Sequence, residues 1–236
     1  MDGKANPLAR RKFLALLVSL LLLVVVYPIL RDLVETRLLF DTLVTLLFAA
    51  ALVAVFRGRG NRFLALVLGT PTLVGLWSGY VLPGLPRVPL IVAFHLCGAL
   101  FFSFVVVTIL RSVSREKEVT ADAVYGAFCG YLLVGLIFGH LFCVLETLAP
   151  GSFRASEPLP AAFPDEDRLH FLLTYFSFIT LTTVGYGDVT PASRGARGLA
   201  VVEAIVGQFY IAVLMAQLIG IRVAQALAER QSGSDK

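Results

Sequence analysis

The chain has 236 residues, 58% of them hydrophobic and 15% charged, with a formal net charge of +4. Soluble globular domains carry about 25% charged residues. This balance, together with long charge-free runs, excludes an ordinary soluble domain and indicates an integral membrane protein; nothing in it marks a nucleic-acid partner.

Taken in order, the N-terminus carries Lys4, Arg10, Arg11 and Lys12, and Phe13 to Leu30 then runs without a charge. At 1.5 Å per residue a helix of that length crosses most of a ~30 Å hydrocarbon core. A signal peptide would begin the same way, but no clear small-residue cleavage site follows Pro28, so an uncleaved first span is expected. The second span is predicted from Leu38 to Phe56, with Asp41 near a membrane edge and solvated. Arg57, Arg59 and Arg62 form a basic loop. The third span, Phe63 to Leu82, holds Pro71 as a predicted kink and Gly75 and Gly79 at a spacing for close helix contact. A Pro-rich turn leads to the fourth span, Val88 to Leu110, and a charged linker follows. The fifth span, Ala123 to Leu148, has small-residue faces at Gly126, Gly130, Gly135 and Gly139, predicted to pack against the sixth span. Ala149 to Phe163 reads as a polar surface turret, Leu169 to Leu181 as a short apolar helix, and Ala196 to Val223 as the sixth span, followed by a short polar tail. Cys97, Cys129 and Cys143 lie inside apolar runs, which argues against a disulfide framework.

Six spans put both termini on one side. That side holds 13 of the 20 Lys and Arg residues, so the termini are expected to be cytoplasmic in a multi-pass protein of the cell membrane. The acids Glu157, Asp165, Glu166, Asp167 and Asp188 then gather on the outer side, where they raise the local cation concentration.

Between the short apolar helix and the sixth span lies Thr182-Thr183-Val184-Gly185-Tyr186-Gly187-Asp188. A backbone that turns every carbonyl toward one axis needs dihedrals alternating between right- and left-handed regions. Left-handed conformations cost a residue with a Cβ about 1–2 kcal/mol and glycine almost nothing. Val184-Gly185-Tyr186-Gly187 supplies that alternation, and Thr183 adds a hydroxyl oxygen at the inner end. Four copies around one axis would stack rings of oxygens; that such rings replace the hydration shell of a potassium ion is what the resemblance of this run to a potassium-channel filter implies. Leu169 to Leu181, roughly 20 Å as a helix, is too short to cross and long enough to enter halfway. Pro164-Asp165-Glu166-Asp167 reads as its start, and its C-terminal partial charge would face a cation at mid-membrane.

From Thr120 to about Gln225 the chain resembles the pore module of tetrameric potassium channels: outer helix, pore helix, filter and inner helix. The specific part is Phe178 to Pro191. The resemblance implies filter residues Thr183, Val184, Gly185, Tyr186 and Gly187, with Thr182 as a filter support and a filter-buttressing acid at Asp188. Many members brace the filter with a tryptophan pair; here Tyr175 and Phe176 hold those places, and only Tyr175 can donate a hydrogen bond, to Asp188. The family's hinge glycine corresponds to Gly207, 20 residues past Gly187, and its acid clipping the outer helix to the mouth to Glu146. The fold implied is all-α: six transmembrane helices plus a re-entrant pore helix and filter loop, as a homotetramer. Residues 1–119 would form a four-helix domain resembling a voltage-sensor bundle, 120–225 the pore domain and 226–236 a short cytoplasmic tail. The resemblance to voltage-gated members stops at topology, because no Lys or Arg lies between Val88 and Leu110.

Ionisable groups inside spans are costly, so each is a candidate site. Glu203 on the sixth span is expected to bond behind the filter. Gln208, Ile211, Met215 and Ile219, at roughly helical spacing, are candidates for the inner cavity and gate. His95 and His140 are read as neutral histidines bonded to neighbouring helices, with pH sensing as the alternative. No metal-ligand cluster, phosphate loop or nucleophile–base pair stands out. The chain therefore reads as no enzyme, without cofactors or metals beyond permeant potassium ions, and with membrane lipid and its own copies as partners. A passive, potassium-selective channel that is not voltage-gated is the leading function; a potassium-transporter subunit and a non-conducting regulatory subunit are the alternatives.

Overall fold

A computed structural model describes residues 12–31, 37–55, 59–81, 87–115, 120–156 and 166–234. The centre of the expected turret and the Pro164-Asp165 helix start lie outside these residues, as do Arg57 and most of the Pro-rich turn.

The chain is a succession of helices: α1 (Lys12–Leu21), a π turn (Leu22–Val26), α2 (Tyr27–Arg31), α3 (Arg37–Val55), α4 (Arg59–Val81), α5 (Arg87–Val113), α6 (Ala121–Leu148), α7 (Glu166–Leu181) and α8 (Arg194–Ser234). Two strands, β1 (Phe153–Ala155) and β2 (Val189–Pro191), pair antiparallel with Arg154 opposite Thr190. This ribbon corrects the expectation of a wholly helical chain. Three-residue strands carry no readable alternation, and their pairing is set by the elements that bring them together.

Proline explains the π turn. Pro28 has no N–H for the carbonyl four residues back and its ring crowds that carbonyl; just before it the helix widens, and the Tyr27 N–H reaches back five residues to the Leu22 carbonyl. Pro71, by contrast, lies inside α4, which runs unbroken through it.

Among the described residues, five helices are long and apolar enough to cross a membrane: Phe13–Leu30, Leu38–Val55, Val88–Val113, Ala121–Leu148 and Arg194–Val223. In α4 the apolar helical stretch among the described residues is Phe63–Trp77. α6 begins two residues before the expected start, where the Thr120 hydroxyl caps it by accepting from the Ala123 N–H at 3.2 Å. α8 is 41 residues long, about 60 Å at helical rise. The expected polar tail is therefore a continuation of the inner helix as far as Ser234, built from good helix formers such as Gln225, Ala226, Leu227 and Glu229.

α5 with α6 is the most extensive helix pair, and α1 also packs on α6. The first spans thus wrap the outer helix of the pore region and share one apolar core with it. Phe48 stacks on Phe101 at 4.5 Å between ring centroids. The Phe13 N–H donates to Asp122 Oδ1 at 3.0 Å, tying the start of α1 to the start of α6. Asp41 is 3% exposed, inside the bundle and not solvated as expected; it faces the neighbouring helices, which its place in the sequence could not reveal.

Apolar side chains gain little from leaving lipid for protein, so helix contacts in a membrane depend on close packing and hydrogen bonds. The glycines of α6 supply the close packing. A Cβ at Gly126 would stand 2.9 Å from Phe13, at Gly130 2.2 Å from the Tyr210 hydroxyl, at Gly135 2.6 Å from Phe178, and at Gly139 2.7 Å from the Thr174 hydroxyl. Only Gly130 faces the sixth span as expected; Gly135 and Gly139 seat the short helix α7, and Gly126 seats α1. Spacing predicted the small faces but not their partners.

Candidate functional site

The segment after α7 has the alternation that its sequence predicts. Gly185 and Gly187 have φ of 53° and 79°, and Thr183 has φ of 62°, the only non-glycine residue with positive φ among the described residues. A β-branched residue in this region is strained by about 1–3 kcal/mol and needs surroundings that hold it. The hold comes from the last turns of α7. The Thr182 N–H donates to Phe178 O at 3.0 Å and the Thr183 N–H to Thr180 O at 3.0 Å. Ile179 O receives two donors, Val184 N–H at 2.9 Å and Gly185 N–H at 3.1 Å. The Thr182 hydroxyl donates to Phe178 O at 2.6 Å. Residues 182–187 are exposed on the single chain, Tyr186 by 73%.

The residues expected to support this segment lie around it. The Tyr175 hydroxyl donates to Asp188 Oδ2 at 2.8 Å. Phe176 packs instead among Phe142 and Phe153, at centroid distances of 5.1 and 5.3 Å, and Asp188 Oδ1 has no hydrogen-bond partner. Glu146, 7% exposed at the end of α6, accepts from the Gly151 N–H at 2.7 Å and the Phe153 N–H at 3.0 Å. Bonds to a charged group are worth about 1.5–3 kcal/mol, and these two fix the start of β1. β1 in turn holds β2, directly after the motif, and the Ser156 N–H donates to the Asp188 carbonyl at 2.9 Å. The clip expected at Glu146 is therefore a chain of contacts from α6 to the residue that ends the motif.

Below, three helices meet at Ser177. Its hydroxyl bonds the Gly135 carbonyl of α6 at 2.7 Å and the carboxyl of Glu203 on α8, which is fully buried. Glu203 thus supports α7 from the inner helix. Gly207 is also a support in this geometry: α8 runs through it unbroken, and a Cβ there would stand 2.9 Å from Leu181 O. The close approach of α8 to the end of α7 requires glycine; a bend at the expected hinge is not part of this conformation. Gln208, Ile211, Met215 and Ile219 all lie on the exposed side of α8. Sequence reasoning missed Ser177 and two tyrosines: the Tyr131 hydroxyl donates to Leu181 O at 3.1 Å, and the Tyr210 hydroxyl to Ala127 O at 2.8 Å. A hydroxyl inside an apolar run was the available signal, since buried hydroxyls seek partners.

The sequence reading, in which no metal-ligand cluster stands out, does not anticipate one grouping of side chains. His95 and His140 do bond across helices, Nδ1 to Nδ1 at 2.8 Å, but His170 joins them, and one nitrogen from each ring lies within 4.8 Å of the others. Sequence separation hid the group.

A protein-family profile described as Ion channel matches residues 126–223. Protein LctB of Bacillus caldotenax is 33% identical over 109 residues, 45% of this chain and 78% of that protein. The chain belongs to the pore-loop ion-channel family. The channel is also 30% identical over 110 residues to Protein LctB of Geobacillus stearothermophilus, across 46% of its own length and 78% of the relative's. It is 30% identical over 89 residues to Two pore potassium channel c of Oryza sativa subsp. japonica, covering 38% of this chain and 17% of the rice protein. No solved structure matches it. The profile spans α6, α7, the motif and most of α8. The protein is thus a channel and not an enzyme, and its several apolar helices make it a multi-pass membrane protein.

Proposed function

We propose that this channel conducts potassium selectively and passively, with four copies contributing Thr183 to Gly187 to one filter. The observation that carries the reading is the left-handed backbone at Thr183, Gly185 and Gly187, the conformation a ring of inward carbonyls demands. The bare apolar side of α8 supports the tetramer: Val201, Ile205, Phe209 and Val213 are 58%, 51%, 67% and 62% exposed on the single chain. On this reading α4 also crosses, giving six spans with cytoplasmic termini in the cell membrane, α7 is re-entrant, and Gln208, Ile211, Met215 and Ile219 face the inner cavity. One intact motif per chain favours four separate subunits over a transporter chain with internal repeats.

Potassium flux from liposomes holding the purified protein should far exceed sodium flux, and Gly185→Ala should abolish it by forcing a Cβ into the left-handed position. Equal permeation of the two ions by the native protein overturns the filter assignment. One charge moved across the field is worth ~2.3 kcal/mol per 100 mV, and steep gating needs several per subunit. Because the fourth span lacks Lys and Arg from Val88 to Leu110, open probability in planar bilayers should change little with voltage in symmetric potassium. A steep curve insensitive to the permeant ion would locate gating charge elsewhere.

A further inference from the structure

The chain has three histidines, and the fold brings all of them to one point. His95 comes from α5, His140 from α6 and His170 from α7. They are 1%, 3% and 6% exposed. Their ring centroids form a nearly equilateral triangle with sides of 5.1, 5.2 and 4.8 Å. A hydrogen bond between His95 and His140 accounts for those two rings. It does not account for His170, whose buried Nε2 has no hydrogen-bond partner. Buried polar atoms are rarely left so, because an unmet one costs about 1–3 kcal/mol.

The surroundings make room for the triad. A Cβ at position 98 would stand 3.0 Å from both Cε1 and Nε2 of His140, so Gly98 admits that ring. Phe94 packs edge-on against His95 and His140, and Phe40 edge-on against His170. His170 also lines a cavity of about 230 Å³ between the α1–α2 turn and α7, with Tyr27, Pro28 and Phe171 among its walls.

We propose that His95, His140 and His170 form a three-imidazole site for a borderline transition-metal ion of the zinc class. Three nitrogen donors without a carboxylate do not suit magnesium or calcium, which take oxygen ligands. They do suit a tetrahedral ion with an exchangeable fourth ligand. Zinc–nitrogen bonds of about 2.0–2.1 Å place tetrahedral ligand atoms roughly 3.4 Å apart. The His95 and His140 nitrogens, 2.8 Å apart, need open only slightly, and the third lies within closing distance. The ligands are neutral, so a hydroxide or chloride as the fourth would offset half of the ion's charge. An ion there would fasten the fourth apolar span and the outer helix to α7, whose far end holds the motif.

The test uses the full-length protein in detergent, without a polyhistidine tag, stripped by chelator and then titrated with zinc or cobalt. The expected result is one ion per chain, a rise of several degrees in Tm with zinc, and the strong visible absorption of tetrahedral cobalt. His170→Phe and His95→Gln should each weaken binding by tenfold or more. Absence of stoichiometric binding by the native protein overturns the proposal, even if a variant fails to fold. Undiminished binding by His170→Phe, or an octahedral cobalt spectrum, places the ion elsewhere and overturns it equally.

Discussion

α6 and α8 are close in apolarity, with mean hydropathies of 2.2 and 2.0 over their candidate spans, yet 61% of the first is buried and 17% of the second. The difference lies in their partners. α6 carries glycine at close approaches of α1, α7 and α8, and most of its span is buried within one chain. α8 buries only a narrow stripe through Ala196, Ala200, Glu203 and Gly207, and the rest of its apolar surface waits for another copy or for lipid. Equal hydrophobicity thus encodes two tasks: one helix organises the subunit, the other meets what lies outside it.

Three substitutions separate those tasks. Gly135→Leu should have the largest effect, because even a Cβ would stand 2.6 Å from Phe178. Overpacking of this kind costs about 1–3 kcal/mol or more; the subunit should lose thermal stability and α7 its seat, read as a fall in Tm together with loss of flux. Phe209→Arg should leave the subunit folded and break the assembly, since its side chain is 67% exposed on the single chain. Light scattering in detergent would report the change from four copies to one, and an unchanged mass would show that this face meets lipid only. Tyr175→Phe should be mildest. It removes one hydrogen bond to a carboxylate, about 1.5–3 kcal/mol, and should leave mass and fold intact while lowering potassium-over-sodium selectivity in the flux assay.

What could be read from the sequence was local. The alternation at Thr183 to Gly187 is a property of consecutive residues, and Tyr175 and Asp188 lie close enough in the chain for resemblance to place them. Glu146 was legible for the same reason. The partners of Gly126, Gly135 and Gly139 were not, because a helical period gives a face and never its neighbour. The histidine triad depends on α5, α6 and α7 meeting, which no spacing within one helix encodes. Asp41 was misread because a charge near the end of an apolar run looks the same whether the bundle or the solvent receives it. The end of the sixth span at Val223 was legible, whereas the helix beyond it was not, because hydropathy marks where lipid ends while the helix continues on backbone bonds that polar residues sustain equally well.

The carbonyl of Ile179 accepts from both Val184 and Gly185, and this sharing has a mechanical consequence. Two amides on one oxygen lack independent anchors, so a fluctuation that lifts one loosens the other. The final turn of α7 and the inner half of the motif therefore form a single stiff joint. Any force reaching that turn, whether through Tyr131 on Leu181 or through Ser177 from Glu203, arrives at the motif as a displacement of the whole joint, not as slack taken up along the way.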